Sequence, residues 1–75
     1  MTHDDNLIRM ANQIGTFFES MPDRQEALEG IATHLKKFWD PRMRQAFLAQ
    51  VDGTQHPEIR EIVLAAVHAH RTLIG

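Results

Sequence analysis

The chain has 75 residues, with eight Lys and Arg against ten Asp and Glu, a formal charge of −2 and no cysteine. That length allows one small domain. The missing thiols exclude disulfides, zinc–thiolate sites, iron–sulfur clusters and cysteine nucleophiles, and the near-neutral balance lacks the basic surface of a dedicated nucleic-acid binder. No apolar run approaches the ~18–20 residues that span a bilayer, and the acidic opening Met1-Thr2-His3-Asp4-Asp5 is the opposite of a secretory signal, so a cytoplasmic protein with no membrane partner is expected.

The pattern predicts an all-α fold, a small bundle of three to four helices over residues 1–75 with an antiparallel N-terminal hairpin. The first helix is expected at about 6–20. Leu7, Ala11, Ile14, Phe18 and Met21 recur at helical spacing, with Met10 and Phe17 widening the stripe and Asp4 or Asp5 available as N-cap. Pro22 ends it by steering Met21 out of helical backbone. The second helix is expected at about 24–39, opened by Asp23 with Glu26 at capping-box spacing, and striped by Leu28, Ile31, Leu35 and Phe38. The third, at about 41–51, begins with an Asp40 cap and Pro41 at the first helical position. It carries Met43, Phe47 and Val51 on one face, and Gly53 is placed to stop it. The fourth is expected at about 57–73 from Pro57, with Ile59, Ile62, Val63, Ala66, Val67 and Ile74 apolar and Arg71 near the negative end of the dipole.

In an antiparallel first hairpin, Gly15 would lie opposite Gly30. Each glycine inside a helix costs about 1 kcal/mol relative to alanine, so the pair suggests either close backbone approach or room made for neighbouring Phe rings.

Few residues suggest chemistry. Ser20 is the only serine, stands at a helix end and has no glycine-rich elbow, which leaves it without the surroundings of an activated nucleophile. The carboxylate pairs Asp4-Asp5 and Glu58-Glu61 fall in first turns, where they serve the dipole. His68 and His70 are two apart and point to different helix faces, no His pair has metal-ligand spacing, and no glycine-rich loop cradles phosphate. No catalytic, metal or cofactor-binding residue is therefore expected in this chain.

Charge is segregated along the chain. Residues 36–50 hold Lys36, Lys37, Arg42 and Arg44 against Asp40 alone. Within that stretch, Phe38-Trp39-Asp40-Pro41-Arg42-Met43-Arg44 gathers the only tryptophan with the residue types enriched at the centres of protein interfaces. Phe38 and Trp39 are about 100° apart on a helix. With Phe38 in the core, Trp39 falls at the boundary, either as an interface residue or as a cover over the end of the bundle.

Leu7-Ile8-Arg9-Met10-Ala11-Asn12-Gln13-Ile14-Gly15, Phe17-Phe18 and Pro22-Asp23 together form one block. Gly30-Ile31-Ala32, His34-Leu35 and Phe38-Trp39-Asp40-Pro41-Arg42-Met43-Arg44 form a second. These blocks resemble the delta subunit of the soluble, NAD-dependent, molybdenum- or tungsten-containing formate dehydrogenases of bacteria, over about residues 7–48. The resemblance implies a non-catalytic accessory subunit that supports assembly, cofactor insertion or stability. Its implied partner is the catalytic alpha subunit, in a complex that uses bis-molybdopterin guanine dinucleotide, iron–sulfur clusters, FMN and NAD. Trp39, Arg42 and Arg44 are the first partner-binding candidates, and Met10, Asn12, Gln13 and Phe17 the second. Self-association of the isolated chain is a further expectation. The competing readings are a generic helical adaptor and a small DNA-binding regulator, the latter from the tight join between the second and third helices.

Overall fold

The computed structural model describes residues 3–53 and 58–75. Among these the chain forms five α-helices and no strand: α1 His3–Glu19, α2 Arg24–Phe38, α3 Pro41–Asp52, α4 Glu61–Ala69 and α5 Arg71–Ile74. The expected all-α class holds, and the first three helices fall within a few residues of their expected bounds. Helix α1 begins at His3, so Asp4 and Asp5 lie inside its first turn instead of capping it.

The local signals act as their chemistry requires. Asp23 Oδ1 accepts the N–H groups of Gln25 and Glu26 at 2.9 and 3.3 Å, satisfying two of the donors that a helix start leaves orphaned. Asp40 Oδ1 accepts the Met43 N–H at 2.9 Å, with Pro41 in the first turn of α3. Gly53 ends α3 by donating its N–H to the carbonyls of Ala49 and Gln50, at φ −76° and ψ −126°, outside both the helical and the extended regions. Ser20 closes α1 by donating its hydroxyl to the Phe17 carbonyl at 2.9 Å.

The fourth helix is corrected. It does not run unbroken to residue 73: helical backbone starts at Glu61 and is interrupted at His70, beyond which α5 is a single turn. Residue 57, where it was expected to begin, lies outside the described residues. The start of α4 is set from a distance. Asn12 of α1 accepts the Arg60 N–H on Oδ1 at 2.9 Å and donates Nδ2 to the Glu58 carbonyl at 2.7 Å, so its amide caps α4 where Arg60 itself offers no side-chain cap. At the other end Arg71 reaches back to Asp52 of α3, Nη1 to Oδ1 at 2.7 Å and Nη2 to Oδ2.

Helix α2 is central. It packs against α1, α4 and α5, while α1 also packs on α3 and α4. Ile31, Leu35, Phe47, Val63, Val67 and Ile74 are the largest fully buried side chains, and all six belong to the expected stripes. Ile8 joins the core as well, beside the predicted stripe of α1.

The glycines do not face each other. A Cβ on Gly15 would lie 2.6 Å from Val63 Cγ2 and 3.2 Å from Ile62 Cγ2, so Gly15 is where α1 and α4 approach closely. A Cβ on Gly30 would lie 2.5 Å from Phe18 Cε1, so Gly30 makes room for that ring.

Candidate functional site

Two adjacent aromatic residues at the end of α1 create the main surface feature. Successive helical side chains diverge by about 100°, so Phe17 and Phe18 cannot both point inward. Phe18 turns onto α2 into the space left by Gly30. Phe17 stays outside, 71% exposed, with its ring edge-to-face on Phe18 at 5.1 Å.

The junction of α2 and α3 repeats the problem with the opposite outcome. The periodic stripe assigns Phe38 to the core and Trp39 to the boundary. The structure exchanges them: Phe38 is 71% exposed and Trp39 is 5% exposed. The cause is the helix end. Trp39 is the C-cap residue of α2 with extended backbone, φ −92° and ψ 135°, so the 100° step no longer applies. Its ring swings onto α3 and meets Phe47 edge-to-face at 5.7 Å. Phe38 instead rests beside His34, one turn earlier on α2, with ring centroids 4.7 Å apart.

These choices open an apolar groove of about 490 Å³ between α1 and α2. Trp39, Ile14 and Phe18 supply its buried and half-buried parts, and Met10, Gln13, Phe17 and His34 complete the lining. It has no carboxylate and no Lys or Arg. Exposed Phe17 and Met10 give it the character of an unfilled binding surface: apolar, concave and rimmed by helix. Next to it, sharing Phe18 and His34, a second recess is lined by Phe38 and Lys37 at one end and by Glu26 and Glu29 at the other.

The structure thus brings Met10, Gln13, Phe17 and Trp39 together. Asn12 lies in a neighbouring recess of about 690 Å³ with Ile8, Arg9, Thr16 and Arg60, which shares Gln13 with the groove, and its amide is committed to the backbone of residues 58–60. Arg42 is exposed on α3. Arg44 is half-buried; its Nη1 donates to the Lys36 carbonyl at 3.3 Å, a cation at the negative end of α2. Its Nε is buried without a hydrogen-bond partner. Neither arginine lines the groove. The lining residues that were not partner-binding candidates are His34, and Ile14 and Phe18, which the stripe assigns to the core. The adjacent Phe17-Phe18 pair is the signal for them, since one ring of such a pair is left over on any helix.

Three arginines are paired within the chain. Arg24 holds both carboxylate oxygens of Glu61, at 2.9 and 2.7 Å, Arg60 pairs with Glu19, and Arg71 pairs with Asp52. The hydrogen bonds and charge of Arg71 hold the Asp52 carboxyl below its ordinary range, and Asp52 in turn raises Arg71. Among the described residues Lys36, Lys37 and Arg42 make no ion pair with a carboxylate. Also among the described residues, no group of three or more His, Cys, Asp or Glu side chains is placed to hold a metal ion, and no helix is long and apolar enough to cross a membrane.

No curated protein and no solved structure matches the chain. A family model does, over residues 6–67: that of the NADH-dependent formate dehydrogenase delta subunit FdsD. The match takes in α1 from residue 6 onward, α2, α3 and α4 as far as Val67, hence every residue of the groove. The chain therefore belongs to the FdsD family of NADH-dependent formate dehydrogenase delta subunits.

Proposed function

We propose that this chain is a non-catalytic accessory subunit that docks on the catalytic alpha subunit of an NAD-dependent formate dehydrogenase and supports its assembly, molybdopterin cofactor insertion or stability. The observation that carries the reading is the apolar groove between α1 and α2, with Phe17 71% exposed at its edge, in a chain of the delta-subunit family. An aromatic side chain so placed forgoes on the order of 1.5–3 kcal/mol of burial until a partner covers it. Met10, Gln13, Phe17 and Trp39 form the apolar contact. Arg42 and Arg44 sit at the adjoining corner, and Asn12 acts indirectly by fixing the start of α4. Molybdopterin guanine dinucleotide, iron–sulfur, FMN and NAD chemistry belongs to the other subunits on this reading.

The test is expression of the formate dehydrogenase subunits with and without this chain. Molybdenum or tungsten per purified alpha subunit and formate-dependent NADH production are then measured. Low metal and low activity without the chain support a role in cofactor loading or retention. Full metal with faster loss of activity on storage supports stabilisation. Equal metal, activity and lifetime refute an accessory role.

A further inference from the structure

The groove between α1 and α2 has one ionisable side chain, the imidazole of His34. The rest of the lining, Met10, Gln13, Ile14, Phe17, Phe18 and Trp39, carries no charge. His34 is half-buried, and its ring centroid lies 4.7 Å from that of Phe38, one turn later on α2. Neither ring nitrogen has a hydrogen-bond partner among the described residues, so in the free chain both are left to water. The neighbours decide which form of the ring suits a covered groove. From α1 it faces Met10, Gln13, Ile14, Phe17 and Phe18, and at the end of α2 stands Trp39. No residue of α3, α4 or α5 lines the groove or the adjoining recess. On α2 the charged residue beside it is Lys37, three positions on, whose like charge opposes a proton on His34. Glu29 and Lys36 lie about 140° and 160° around the helix from it, and Glu26 stands roughly 12 Å back along the axis. An imidazolium in the covered groove would therefore meet no carboxylate of this chain and one opposing cation.

We propose that docking in this groove requires His34 to be neutral, so that acidification releases the partner. This rests on the reading of the groove as the face that meets the alpha subunit, and adds its regulation. A partner that covers the groove takes the imidazole out of water. Moving a charge from water into an apolar contact without a counterion is strongly unfavourable, whereas the neutral ring buries as an aromatic. The sign follows by linkage. A contact that accepts only the neutral form is at full strength above the range where histidine takes its proton, near pH 6.5, and weakens as pH falls through it. For such a contact the dissociation constant at pH 5.5 is about tenfold that at pH 7.5.

The test uses formate dehydrogenase complex purified without this chain and immobilised, with the full chain as analyte at pH 7.5 and 5.5. Wild type is compared with His34→Gln, His34→Lys and Phe17→Ala, each with helicity matched to wild type by circular dichroism. The wild-type Kd is expected to rise about tenfold from pH 7.5 to 5.5 relative to His34→Gln, which offers hydrogen bonds but takes no proton. The other histidines and the complex titrate in both chains, so this ratio isolates His34. His34→Lys carries the charge permanently and should bind about tenfold or more weakly already at pH 7.5. Parallel pH dependence in wild type and His34→Gln, or His34→Lys binding as tightly as wild type, refutes the switch while docking stands. Acidification that tightens wild type relative to His34→Gln also refutes it, since the partner then supplies a carboxylate to the imidazolium. If Phe17→Ala binds as tightly as wild type at pH 7.5, the groove is not the docking face, and reading and inference fall together. They fall together as well if the wild-type chain does not bind at either pH.

Discussion

Replacing Gly15 by alanine tests the close contact between α1 and α4. On helix propensity alone the change gains about 1 kcal/mol. The structure predicts the opposite sign. The new methyl would lie 2.6 Å from Val63 Cγ2 and 3.2 Å from Ile62 Cγ2. Val63 is fully buried and β-branched, so its rotamer is fixed by its own helix and cannot swing aside. Overpacking of this kind costs about 1–3 kcal/mol, and a contact this short belongs at the upper end. Net of the propensity gain, Gly15→Ala should lose about 1–2 kcal/mol, a large share of the ~3–5 kcal/mol that so small a core supplies. Urea unfolding followed by fluorescence of Trp39, the only tryptophan and a core residue, gives the number: a lower midpoint with unchanged slope. Val63→Ala in the same chain removes the clashing methyl, so the double mutant should be more stable than the sum of the single losses predicts. A Gly15→Ala chain more stable than wild type by about 1 kcal/mol would refute the close approach of α1 and α4.

Phe47→Ala empties the space under Trp39 and should cost about 3–5 kcal/mol, enough to leave the chain largely unfolded by circular dichroism. Asn12→Ala removes the amide that caps α4 and should lower stability by about 1–2 kcal/mol in a urea titration, with faster amide exchange at Arg60. Phe17→Ala, by contrast, should change unfolding free energy by less than about 0.5 kcal/mol, because the ring is 71% exposed. The depressed Asp52 carboxyl stabilises the fold above its unfolded value of 3.8, and this contribution is lost as pH falls through the lower folded value. The stability difference between wild type and Asp52→Asn should therefore be constant near neutrality and shrink on acidification below 3.8.

Much of the fold is legible because its signals are local. Asp23 and Asp40-Pro41 start helices by bonding to N–H groups two or three residues away, and periodicity marks Ile31, Leu35, Phe47 and Val67 as core without reference to a partner. What escaped depends on distant contacts. The start of α4 is set by Asn12, 48 residues before Arg60, and no residue near Glu61 announces it. The break at His70 has no proline or glycine beside it; the following Arg71 is drawn to Asp52. Mirrored spacing suggested that Gly15 faces Gly30, but the partner of Gly15 is Val63 on α4. Phe38 and Trp39 exchanged places because helical period was extended one residue past the point where α2 ends. For the site, Met10 and Phe17 are visible as residues left beside a stripe, and Gln13 only as a partner-binding candidate in the block that resembles the family. That His34 and Trp39 join them follows only from how α2 lies on α1 and how it ends.

The central claim is that the Phe17 groove faces the catalytic subunit, and site-specific photo-crosslinking tests it most directly. A photoactivatable benzoylphenylalanine is placed at position 17 in the groove or, as control, at the exposed position 72 of α5, and the assembled formate dehydrogenase complex is irradiated. The account predicts that position 17 joins this chain to the alpha subunit and that position 72 does so far less. Crosslinks from position 17 to a second copy of this chain, or equal yields from both positions, would contradict it.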